Sequence, residues 1–397
     1  MNMGKNNHTL IILSGFLALV VAMGIGRFVY TPLLPEMQEQ FHFNDEIAGV
    51  IASVNYLGYL LGALLCFKTM TPKIKLLAIR MALVLSVSTT AFMGFATTVN
   101  CWIIIRFISG LASAGVFIIG SSIIMDKLSR SDNSHDSILM YSGVGFGIAF
   151  TGIMSPVLIS FFSAQTTWII FALICVPLIL FCWVLMIPLP LKVRIKSNFK
   201  DKPKLDDSRL LPWLAAAYFC EGFGYIISGT FIVSFLKDQA GFFSSGPFAW
   251  TIIGLTASMS IPIFFQLSKR IHIIKVLIVA HFIQGIGIVI PVLSSHWLSI
   301  CCGAILFGGT FMGITALSLS LGKALKPDQG QWVIGFLTAV YGVGQILGPL
   351  VSGMLSNKTG NIVYTMILSS IVVIGGGFLL TAGLVLKKYA NPIQRSL

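Results

Sequence analysis

The chain has 397 residues, of which 56% are hydrophobic and only 10% charged, with a mean hydropathy of +0.91. A soluble chain is about a quarter charged, so this composition excludes an ordinary water-soluble domain and points to a polytopic membrane protein. The formal net charge of +13 is spread through loops between apolar runs, which argues for anionic lipid as its neighbour and against nucleic acid.

The apolar runs are long and unbroken. They imply helices, because barrel strands would alternate and nothing else satisfies its backbone in lipid. In chain order, spans are expected at 9–31, 46–67, 74–96, 99–124, 137–162 and 166–188. A polar, Lys-rich stretch then runs from Pro188 to Pro212. Six further spans are expected at 210–236, 248–268, 273–293, 296–321, 331–356 and 361–386. The first run is too long for a secretory signal core and is expected to stay as an anchor. The fifth span reads YSGVGFGIAFTGIMSPVLIS and the eleventh YGVGQILGPLVSGML. Both open on Tyr, pass through Gly-Val-Gly and carry a late Pro. This weak repeat divides the chain into a half at 1–187, a cytoplasmic linker at 188–209 and a half at 210–397. Parallel six-helix repeats place a binding site near the midplane between them.

The basic residues set the topology. With the N-terminus in the cytoplasm, Lys and Arg gather in the inside segments. Only Lys237 and Lys358 fall in outer loops, and Arg27 and Arg106 lie within spans. Both termini are therefore expected in the cytoplasm. The seven Cys are scattered, with no CxxC and no His pair at ligand spacing, so no metal site is expected.

Of the 13 acidic residues, only Glu221 falls at membrane depth. An ionisable group there costs roughly 2.5–3.5 kcal/mol or more, so it needs a partner, a water-filled cavity or a role. Removal from water favours the neutral acid and a nearby guanidinium favours the carboxylate, which makes Glu221 a candidate proton site. The structural alternative is a fixed salt bridge to Arg27. Arg106 is equally read as a clamp on neighbouring backbone that holds spans 1 and 4. Two arginines against one glutamate leave positive charge, which favours an anionic solute group held by an Arg fork and disfavours a lipophilic cation. Helical spacing puts Tyr218, Glu221, Tyr225 and Ser228 together on span 7, Met23, Arg27 and Tyr30 on span 1, and Thr338, Tyr341 and Gln345 on span 11. A Tyr stripe is more often packing than ligand contact. Asn55, beside Tyr56 in span 2, and Gln345 are sharper, because buried amides need partners.

Several segments carry a resemblance: GIGRFVYTPLLPEM (24–37), ASVNYLGYLLGALL (52–65), RFISGLASAGVFI (106–118), YSGVGFGIAF (141–150) and EGFGYIISGTFIV (221–233). Together they are similar to the YbfB/YjiJ-like bacterial branch of the major facilitator superfamily, and the twelve spans resemble that superfamily over the whole chain. Arg106 with Gly110 resembles its R-x3-G motif on the fourth helix. Gly335, Gly344, Gly348, Pro349, Ser352 and Gly353 resemble its G-x8-G-x3-G-P-x2-G-G motif, with Ser for one Gly. In the superfamily that motif accompanies antiporters and sits in span 5; here span 5 keeps only Gly143, Gly152 and Pro156. The segment FKTMTPKIKLLAIR between spans 2 and 3 keeps the basic charges of the usual loop motif and lacks its acid.

The resemblance implies an all-α membrane protein of two pseudo-symmetric six-helix bundles. It puts Arg27, Arg106 and Glu221 on the helices that line a central cavity. It also implies a secondary transporter of a small organic solute in the bacterial cytoplasmic membrane, monomeric and working by rocking of its halves. Proton coupling is expected, no cofactor is expected, and export is one direction left open. Gly342-Val-Gly344 has no preceding strand and no P-loop Lys, so it is no nucleotide loop. An uncoupled facilitator and a multidrug or metabolite efflux protein remain open as alternatives. An intramembrane enzyme would want a Ser/His or His/Asp pair at a membrane face; His281 is isolated on span 9, so the chain is read as not an enzyme.

Overall fold

The computed structural model describes residues 5–66, 70–128, 134–187, 208–237 and 245–390. Regular structure among them is helical throughout, and twelve helices are long and apolar enough to cross a membrane. The first six are α1 (His8–Phe41), α2 (Asp45–Cys66), α3 (Pro72–Phe95), α4 (Val99–Leu128), α5 (Ser137–Ile159) and α6 (Ala164–Leu185). The second six are α7 (Leu211–Phe235), α8 (Gly246–Arg270), α9 (Ile273–Leu293), α10 (Trp297–Leu325), α11 (Trp332–Thr359) and α12 (Val363–Leu386). Each expected span has its helix. The linker expected at 188–209 lies outside the described residues, apart from its last two positions.

The largest difference from expectation is in α1, which continues to Phe41, well past the expected end at 31. Pro32 is the reason. It falls in the first turn of a restarted helix, Tyr30–Phe41, where a missing N–H leaves no bond unmade. Before that restart, the chain widens into a π turn over Val20–Ile25. Gly26 N–H reaches back to Val21 O at 2.8 Å and Phe28 N–H to Met23 O at 3.1 Å, five residues away in each case. Thr31 N–H then closes on Phe28 O at 3.2 Å, rather than on the Arg27 carbonyl one turn back.

The packing repeats itself after six helices. In the first half α2 packs on α4, α1 on α5 and α3 on α6. In the second, α8 packs on α10, α7 on α11 and α9 on α12. The halves meet along α2 with α11 and along α5 with α8, two contacts that exchange under the same shift, and along α1 with α7. These are two six-helix bundles related by a pseudo-two-fold axis. Small residues permit the close approach. A Cβ at Gly49 would strike the Pro349 carbonyl, and one at Gly353 would strike that of Asp45. Leu65, Phe95 and Val184 stay exposed on the outside, where acyl chains would cover them.

Candidate functional site

The break in α1 frees two carbonyls, and α4 takes them. Arg106 Nη1 donates to Gly26 O at 3.2 Å, Nη2 donates to Arg27 O at 3.1 Å, and Ser109 Oγ donates to Gly26 O at 3.2 Å. The guanidinium also lies 4.9 Å from the centre of the Tyr30 ring, whose hydroxyl donates to Ala48 O at 3.1 Å. Asn55 Nδ2 in turn donates to Arg106 O at 2.8 Å, and Gly110 leaves room for the Asn55 carbonyl to pass. Arg106, Asn55, Tyr30 and Gly110 thus lock α1, α2 and α4 together. Of the two roles open to Arg106, this geometry is the backbone clamp.

Arg27 is held differently. It is 3% exposed and forms no ion pair among the described residues. The rings of Tyr56 and Tyr59 lie 4.4 and 4.3 Å from its guanidinium carbon, a cation–π setting. Its Nε and Nη2 have no hydrogen-bond partner. A buried donor left in this state costs free energy until something accepts from it.

The second half presents a stack of rings toward this region. Tyr218 and Tyr341 stack at 4.4 Å and 20°, Tyr341 and Tyr225 at 5.7 Å and 11°, and Tyr225 and Phe311 at 5.5 Å and 8°. Gln345 Nε2 donates to the Tyr225 hydroxyl at 2.5 Å, while its Oε1 is buried without a partner. Gly342, next to Tyr341, faces the side chain of Leu60, next to Tyr59, so the two half-sites adjoin across the interface.

Glu221 hydrogen-bonds with neither group among the described residues. It is fully buried, and it accepts from Gln284 Nε2 of α9 at 2.9 Å. Its Oε2 and the Gln284 Oε1 have no partner. The arginines expected beside it are not there. The face proposed for span 7 divides in two: Tyr218 and Tyr225 turn to α11, whereas Ser228 turns to α12, where its Oγ meets Ser369 Oγ at 2.9 Å. Glu221 belongs with the second set. His281, one turn before Gln284 on α9, is also fully buried, and its Nδ1 bonds Leu277 O at 2.8 Å. Among the described residues no three of His, Cys, Asp and Glu gather as metal ligands would.

Twelve spans put both termini on one face. Most polar links between the halves cluster on the opposite face, although Ser142 Oγ, nearer the terminal face, donates to Ser258 O at 2.6 Å. Thr31 Oγ1 donates to Gly229 O at 2.6 Å, Asn357 Nδ2 to Glu46 Oε2 at 2.9 Å, and Asn44 Nδ2 to Asn357 Oδ1 at 3.1 Å. Ser356 bonds Asp45, and Lys237 pairs with Glu39. The glycine motif of α11 serves this closure. Pro349 and Gly353 face α2, Gly344 and Gly348 face the Phe219 and Phe223 carbonyls of α7, and Gly335 lies half-buried nearer the terminal face.

Around the arginines, the ring stack and Glu221, four residues escaped the sequence reading: Tyr59, Ser109, Gln284 and Phe311. Tyr59 follows Tyr56 by one helical turn, and Gln284 is the single amide in the apolar run of α9. Both signals were readable. Ser109 and Phe311 carried none.

A family of uncharacterised transporters of the major facilitator type, described by the name YbfB, matches residues 19–381. The chain belongs to that family. Searching curated proteins gives no match. Among 309 matching chains of known structure is a crystal structure of a mutant of the nucleoside transporter NupG, at 15% identity and a TM-score of 0.74. The match covers 95% of this chain and 100% of that one. At that identity the likeness shows the fold, and the fold and family are those of a membrane transporter.

Proposed function

We propose that the protein is a proton-coupled secondary transporter of a small organic anion, working by alternate opening of its two halves. One observation carries the reading: Arg27 is buried where the halves meet, and no acid among the described residues pairs with it. A cation so placed invites an anionic solute and repels lipophilic cations. Glu221 is the acid that carries the proton, held in the second bundle by Gln284. The clustered basic loops support both termini in the cytoplasm, and a monomer in a bacterial inner membrane is part of the proposal. With the latch shut on the outer face, the site would open to the cytoplasm. Export and import are both compatible with this cycle.

The test uses purified protein in proteoliposomes and a panel of labelled organic acids, with and without a pH gradient. Glu221→Gln should lose gradient-driven accumulation, while the acids still protect the protein in thermal melts. Full gradient-driven accumulation in the variant would leave an uncoupled facilitator instead.

A further inference from the structure

Three features of the interface describe the solute more closely, on the reading that Arg27 anchors an anion. First, the Tyr56 and Tyr59 rings lie against the Arg27 guanidinium, and its unpaired donors are Nε and Nη2. These two form one edge of the fork, the edge that binds a carboxylate through two parallel bonds. Second, Gln345 Oε1 is an unpaired acceptor on a residue 2% exposed, while its Nε2 donates to the Tyr225 hydroxyl. It calls for an N–H or O–H from the solute. Third, the rings of Tyr218, Tyr341, Tyr225 and Phe311 are nearly parallel, with successive angles of 20°, 11° and 8°. Aromatic packing elsewhere in the bundles includes edge-on pairs, such as Phe41 with Trp102 at 73° and Phe150 with Phe171 at 78°. A parallel stack can be extended or parted by another flat ring at small cost, because offset stacking is itself a favoured geometry.

We propose that the solute is a flat, conjugated carboxylate that carries a ring N–H or hydroxyl. Its carboxylate takes the Nε and Nη2 edge of Arg27, its ring joins the tyrosine stack, and its donor reaches Gln345 Oε1. The first bundle supplies charge and the second supplies shape. Only a molecule that touches both would draw the halves together.

The experiment titrates the full chain in nanodiscs with four compounds, reading affinity from ligand-dependent thermal stabilisation. They are indole-3-carboxylate, its methyl ester, its N-methyl analogue and cyclohexanecarboxylate. Indole-3-carboxylate should bind best. The ester should be at least about 10-fold weaker, as should the acid on Arg27→Gln, since a charge-assisted pair is lost. Arg27→Lys keeps the charge without the fork and should fall between. Cyclohexanecarboxylate should be about 3- to 10-fold weaker, the worth of ring stacking. The N-methyl analogue should be weaker than its parent on the native protein and equal to it on Gln345→Leu. If cyclohexanecarboxylate matched indole-3-carboxylate, the flat-ring inference would fall and the anion reading would stand. Equal binding of ester and acid, or no binding by either acid, would remove the anion reading as well.

Discussion

Two buried arginines show how differently the same side chain can be satisfied. Arg106 spends its fork on the Gly26 and Arg27 carbonyls, and Arg27 leaves an edge open. Lys at position 106 would keep the charge but could not reach both carbonyls from one rigid plane. Losing one or two bonds from a charged donor should lower stability by about 2–4 kcal/mol. A thermal melt of Arg106→Lys in nanodiscs checks this; an unchanged midpoint would mean that the clamp carries little. Sequence reasoning found both arginines and Glu221, because charge stands out in an apolar run. It placed Glu221 on the wrong side of α7. Residues at i and i+3 differ by about 60° around a helix, and here that angle separates the ring stack on α11 from Gln284 on α9.

At the scale of elements, the proposed cycle requires α2 and α11 to part at the face opposite the termini. Glycines bring their backbones together, and the bond from Ser356 to Asp45 sits at the top of the contact. Paired cysteines there, Asp45→Cys with Ser356→Cys, should form a disulfide under mild oxidation. The exposed Cys101 and Cys302 are first replaced by Ser. Cross-linking should stop transport, and a reducing agent should restore it. Undiminished transport by the cross-linked protein would show that α2 and α11 need not part. The glycine motif of α11 was legible in the sequence, since spacing alone defines it. The true length of α1 was not: Pro32 reads as a stop unless the preceding turn is known to have released its hydrogen bonds.

At the scale of the molecule, twelve spans in two bundles could be read almost directly, because lipid demands long apolar runs. The closed face could not. It depends on pairs such as Asp45 with Ser356, 311 positions apart, and no local pattern announces them. A green fluorescent protein fused after Leu397 should fluoresce, and alkaline phosphatase at the same site should be inactive; the reverse result would invert the topology. The wide turn of α1 adds a constraint of another kind. It holds one residue more than a regular turn, so deleting one residue between Val20 and Ile25 would restore α geometry. The segment before it would then turn by about 100°, carrying Gly15 away from Ile124 and Met140. Substitutions in this stretch change a side chain, but a change in its length shifts the register of the whole first helix.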